Sequence, residues 1–113
     1  MARGLSALAM RAVLAACIAS SQARAEGSTR VEIENFAFDP PALTVKTGDR
    51  VVFVNRDQVP HSVVGTRGGE ELFRSSEQIS TDESFSVVMD APGEITLGCG
   101  LHARINGKIV VTP

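Results

Sequence analysis

Cysteine and histidine are both scarce in this 113-residue chain, with two of each. No repeat, low-complexity tract, histidine-rich stretch or methionine-rich stretch is present. No segment sustains a helical period, so an all-helical fold is disfavoured. The apolar run at residues 12–19 is too short for a membrane span, which needs about 20 residues. One of the two cysteines, Cys17, falls in that run.

The first 25 residues read as a signal peptide. Arg3 and Arg11 supply the basic region, residues 12–19 the apolar region, and Ala23-Arg24-Ala25 a small-residue cleavage site. Residues 1–25 are therefore expected to direct export to the periplasm, leaving 26–113 as the mature domain. A second reading is a lipid anchor at Cys17, because Leu14-Ala15-Ala16-Cys17 resembles a lipoprotein cleavage box. It ranks lower, since cleavage there leaves only Ala12 to Ala16 as an apolar stretch, short of the roughly 7–15 residues a signal needs.

The remaining 88 residues suffice for one small domain with one core. They carry eight Lys and Arg against thirteen Asp and Glu, a net charge of −5. Nucleic acid is disfavoured as a partner on that balance. They also keep one cysteine, Cys99, which cannot form an internal disulfide. In an oxidising compartment its thiol needs an explanation, as a metal ligand, an intermolecular disulfide or an inert buried group.

Short β-branched segments recur every eight to twelve residues between turn signals, the pattern of a β-sandwich or barrel. Residues 30–36 alternate Val31 and Ile33 with Glu32 and Glu34, predicting a half-buried strand. After Pro40 and Pro41 an extended segment leads to a turn at 46–49. The run 50–55, apolar on both faces, predicts a central strand. The segment 58–64 bends at Pro60 and continues as a strand through Val63 and Val64. Residues 65–73, with three glycines and several charges, read as a surface loop. Phe85, Val87 and Met89 share one face of a strand at 84–89. After the turn at 90–94, Ile95, Leu97 and Cys99 share another at 95–99, which carries the thiol inward. A final strand covers 107–113.

Both histidines fall at strand ends, His61 after Pro60 and His102 three residues beyond Cys99. Either feature alone is a weak signal. Together they account for both imidazoles and the mature thiol, and they form the His₂Cys set of blue-copper centres. Thiolate suits Cu(I), imidazole binds both oxidation states, and Cu(II) heads the affinity order. Zinc competes on ligand type, but structural zinc sites are usually four-coordinate and a fourth strong ligand is hard to find here.

On these residues the chain resembles the cupredoxins, and within them the small amicyanin-like and plastocyanin-like proteins. The matching stretches are 36–63, 85–102 and 107–111. The resemblance implies an all-β fold, an antiparallel Greek-key β-sandwich, with one type 1 copper at one end held by His61, Cys99 and His102. It also leads one to expect methionine, the weak axial ligand, three residues after the second histidine, where Ile105 stands. Met89 is the only methionine outside the leader, and its alternation with Phe85 and Val87 predicts core packing. Asn106 is one position off the axial place, with Gly107 and the next strand fixing the register.

Around the site, Ser62 matches a position where the family ties its two ligand loops together, and Asn55 and Asp57 read as shaping the turn before His61. Leu101, Ala103 and Pro60 are expected to form an apolar docking surface at the edge of His102, with Arg104 adding a positive charge to meet an acidic partner. The implied function is a monomeric, exported one-electron carrier serving a quinoprotein dehydrogenase, cytochrome or oxidase. Copper oxidases and nitrite reductases need more histidines than two, and no Gly-x-Ser-x-Gly hydrolase motif is present, so an enzyme is not expected. The alternatives are a periplasmic copper-binding or delivery protein without redox traffic and a non-redox interaction module.

Overall fold

A computed structural model describes residues 27–75, 78–102 and 104–113. The leader with Cys17, the start of the mature domain at Glu26, and Ala103 of the expected docking surface lie outside the described residues. Nine strands follow in order: β1 (Ser28–Glu34), β2 (Ala37–Asp39), β3 (Ala42–Lys46), β4 (Arg50–Asn55), β5 (Val64–Arg67), β6 (Glu70–Arg74), β7 (Ser84–Val88), β8 (Gly93–Gly98) and β9 (Asn106–Thr112). They form one sheet in the order β2-β1-β4-β7 and a second in the order β3-β9-β8-β5-β6. The all-β sandwich is as the sequence suggests.

The alternation in β1 and β8 sets which side chains face inward, because successive side chains of a strand point to opposite faces. Val31, Ile33, Val51 and Phe53 of the first sheet, and Val45, Ile95, Leu97, Ile109 and Val111 of the second, are all buried in one cluster. Each such side chain contributes about 1.5–3 kcal/mol by leaving water. The apolar run of β4 lies between β1 and β7, with Val51 opposite Val87 and Phe53 opposite Phe85. Met89 is buried in the core, and its amide donates to the Asp49 carbonyl beside the start of β4.

The structure differs from the sequence reading at 58–64, where only Val64 joins a strand and His61 makes an isolated bridge, and in three further details. The pairings are not all antiparallel, since β1 runs parallel to β4 and β3 parallel to β9. Between β1 and β4 the chain passes through β3 in the other sheet, so it returns beside β1 in the same direction. Residues 65–73 are not a loop but the hairpin β5–β6, turning at Gly68 and Gly69, both at positive φ. Gly-Gly is a hairpin signal in its own right. The first strand ends at Glu34 rather than Phe36, because Asn35 and Phe36 adopt left-handed φ of 56° and 57° and reverse the chain into β2.

These strand directions gather loops at one end of the sandwich. Ile33 pairs with Asn55, and Val64 with Gly98, so the β1–β2 turn, the loop after β4 and the loop after β8 leave from the same end. Gly107 anchors the return from the last of these. A Cβ there would lie 2.8 Å from the Pro41 carbonyl oxygen and 3.1 Å from the Phe38 ring, while the next amide, Lys108, donates to that same carbonyl. Backbone cannot rotate away as a side chain can, so Gly107→Ala should destabilise the protein by about 1–3 kcal/mol, the range for overpacking. Equilibrium urea denaturation checks this, and an unchanged midpoint would show that β9 is not in tight register against Pro41.

Candidate metal centre

The loop after β4 is organised from inside by Asn55, whose amide is fully buried. Its Nδ2 donates to the carbonyls of Val59 (2.9 Å) and Ile79 (2.8 Å), and its Oδ1 accepts the Asp57 amide at 2.9 Å. His61 then exchanges backbone hydrogen bonds with Ile79, which fixes its Cα against the core. The shaping role expected of Asn55 is what the geometry gives.

Asp57 does more than shape a turn. Its Oδ2 lies 2.7 Å from His61 Nε2 and accepts the Phe36 amide at 2.8 Å, while Oδ1 accepts the Asn35 amide at 2.6 Å. Burial pushes its carboxyl up, but the hydrogen bonds from the Phe36 amide, the His61 imidazole and the Asn35 amide outweigh that and hold it below the ordinary carboxylate range. An ionised carboxylate can only accept, so Nε2 of His61 carries the proton. In the neutral imidazole, the form that binds a metal, the lone pair is then on Nδ1.

That lone pair faces the other two candidate ligands. His61 Nδ1 lies 3.1 Å from His102 Nδ1 and 4.0 Å from Cys99 Sγ, and His102 Nδ1 lies 3.8 Å from the sulfur. Bonds of about 2.0–2.3 Å from nitrogen and sulfur donors to a common centre span separations of this size, so the three atoms fit a single ion. No further histidine, cysteine or carboxylate joins the group among the described residues. One soft thiolate with two imidazoles is a donor set suited to copper. Ile105, buried in the core, turns back so that its amide donates to the His102 carbonyl at 3.1 Å. Its side chain, at the sequence position where the family pattern suggests a sulfur donor, is hydrocarbon.

The thiol is held from the opposite loop. The Ser62 amide donates to Cys99 Sγ at 3.4 Å, and the Ser62 hydroxyl, 3.9 Å from the sulfur, accepts the Gly100 amide at 2.8 Å. Ser62 thus ties the two ligand loops together. With His61, Cys99 and His102 converging on one point, the family comparison becomes decisive: a family model described as the cupredoxin-like domain matches residues 7–111.

The chain is a cupredoxin.

This cupredoxin is similar to amicyanin-alpha of Methylorubrum extorquens, 32% identical over 112 residues that cover 97% of this chain and 94% of the relative. It is also similar to amicyanin of Paracoccus versutus, at 31% identity over 72% of this chain and 62% of the relative. Plastocyanin of Chlamydomonas reinhardtii is 35% identical over 66% of this chain and 57% of its own. Among solved structures, a reduced amicyanin variant matches with a TM-score of 0.68 at 30% identity, covering 77% of this chain and 84% of its own. A Cu(I) form of another amicyanin variant matches equally well.

Of the expected docking residues, Leu101 is 47% exposed, Pro60 is half-buried and Arg104 is exposed. Two exposed apolar residues of the cupredoxin's loops escaped the sequence reading, Val59 and Phe36. The ring of Phe36 stands edge-on to both imidazoles, 5.1 Å from each. Asp57→Ala removes the acceptor of three N–H groups and should cost about 2 kcal/mol or more of stability. Asp57→Asn, which keeps an acceptor, should recover part of it. Urea midpoints of the metal-free variants measure both, and equal midpoints for Asp57→Ala and the parent would mean that water replaces the carboxylate at no loss.

Proposed function

We propose that residues 26–113 form an exported, monomeric, non-enzymatic one-electron carrier that holds one type 1 copper on His61, Cys99 and His102. The observation that carries this reading is the convergence of the three donor atoms within 4.0 Å of one another. Export to the periplasm rests on the composition of residues 1–25. No helix among the described residues is long and apolar enough to cross a membrane.

Copper held there supplies a one-electron couple between Cu(I) and Cu(II). The chain's own residues do the rest. Asp57 orients His61 and fixes its tautomer, as ligand-supporting carboxylates do. The Ser62 amide points at the thiolate and, by drawing on its charge, favours the reduced state. His102 is the ligand residue nearest solvent, half-buried where His61 is fully buried. Leu101 next to it in the chain and Phe36 against its ring give exposed apolar surface through which a redox protein docks. Arg104 gives that end of an acidic domain a positive charge for an acidic partner surface.

Ile105 makes the centre atypical. It offers no electron pair where methionine would, so the chain stabilises the oxidised state less, and the axial ligand is one of the factors that set the potential. Ile105→Met should therefore lower the reduction potential relative to the parent in side-by-side voltammetry, whereas an equal or higher value refutes the axial reading. The site itself is tested by visible absorption. Mature protein given Cu(II) and a mild oxidant should develop an intense thiolate-to-copper band, and Cys99→Ser should abolish it. A folded parent with a free thiol and no such band would overturn the proposal.

A further inference from the structure

Phe36 occupies a position that neither its backbone preference nor core packing explains. It is the second residue of the two-residue turn between Glu34 and Ala37, with φ of 57° following 56° at Asn35. Hairpin turns with two left-handed residues favour Asn-Gly, so Asn35 fits and Phe36 stands where glycine belongs. A bulky residue at positive φ is a real outlier, and such strain persists only where the surroundings impose it. Here the Asp57 carboxylate does so by accepting both turn amides. The strain is not repaid by burial, because Phe36 is 49% exposed, the most exposed large hydrophobic residue of the described chain.

What the strained turn achieves is the placement of the ring. Its centroid lies 5.1 Å from those of His61 and His102, with interplanar angles of 85° and 86°, the edge-to-face arrangement that aromatic pairs prefer. The two imidazoles differ in what else holds them. His61 has Asp57 on its outer nitrogen. The His102 imidazole has no hydrogen-bond partner outside the donor cluster among the described residues. Outside the donor cluster itself, the ring contact that orients it is the one with Phe36.

We infer that Phe36 is a positioning residue of the metal centre. Its ring braces the His102 imidazole as Asp57 braces that of His61, and it covers both from solvent. Asp57 serves both imidazoles, one directly and the other by holding the Phe36 turn in its left-handed conformation. The inference rests on the reading of His61, Cys99 and His102 as copper ligands, and it assigns to Phe36 a role separable from fold stability.

The test compares Phe36→Gly and Phe36→Tyr with the parent. Glycine suits the turn, so metal-free Phe36→Gly should match or exceed the parent's urea midpoint. Its Cu(I) should nevertheless pass to a colorimetric chelator about tenfold faster, the effect of losing edge-on aromatic contacts. Phe36→Tyr, which keeps the ring, should release copper at the parental rate. In the metal-free protein, NMR signals of the His102 ring should broaden or shift in Phe36→Gly and not in Phe36→Tyr. Unchanged copper release, or an unperturbed His102 ring, overturns the inference. So does a lowered urea midpoint for metal-free Phe36→Gly, which would make Phe36 an ordinary packing residue. A parent that binds no copper refutes the ligand assignment instead, and the His102 signals still decide whether Phe36 braces that ring.

Discussion

The Asp57 carboxylate accepts three N–H groups from two parts of the chain, and the metal end of the sandwich is organised around it. Hydrogen bonds to an ionised acceptor are roughly twice as strong as neutral ones, which is what a strained turn and a single imidazole tautomer require. The carboxylate is itself placed by Asn55, which closes β4 and accepts the Asp57 amide. Order thus passes from a buried strand end to a buried amide, then to a carboxylate, then to an imidazole and an aromatic turn. Each step is one hydrogen bond long, so a donor at the surface end inherits the rigidity of the core.

The sulfur side is built by a second, independent link. Cys99 continues the inward face of β8 after Ile95 and Leu97, so its depth is set by strand alternation. Its direction is set across the site by Ser62, whose amide meets the sulfur and whose hydroxyl takes the following amide. Because His61 and Ser62 are adjacent, the residue that supplies one nitrogen donor is covalently joined to the residue that holds the sulfur.

Much of this was legible in the sequence because the relevant signals are local or rare. Val31 and Ile33, or Ile95, Leu97 and Cys99, reveal their inward faces through period-2 alternation alone. Two histidines and one cysteine are too few to be confused with a background. What stayed hidden depends on contacts distant in sequence. Asp57 reads as a turn residue until the chain brings Asn35 and Phe36, more than twenty positions away, against it. Phe36 reads as the end of a strand because its side chain favours strands, and its left-handed φ is imposed by that same remote carboxylate. Strand β6 escaped notice for a different reason: as an edge strand with mostly exposed residues it has little alternation to show, and Gly68-Gly69 was the stronger clue. The parallel pairs follow from β3 crossing between sheets, a property of the path and not of any segment.

Ile105 joins the two themes of packing and chemistry. It sits in the same buried cluster as Val63, Ile79 and Cys99, so the side chain that stands where the sequence pattern suggests a donor belongs to the packed core that also holds the thiol. Apolar surroundings disfavour the more highly charged oxidised state, and hydrogen bonding at the sulfur is a further lever on the potential of such centres. Under the proposed ligand assignment, the absence of a sulfur at position 105, the apolar packing and the Ser62 amide aimed at Sγ would all act in one direction, toward the reduced form of a bound copper. Asp57, hydrogen-bonded to His61 Nε2, would act the other way through its negative charge. On the proposed assignment the potential would then be a contest between one carboxylate behind an imidazole and three features near the thiol.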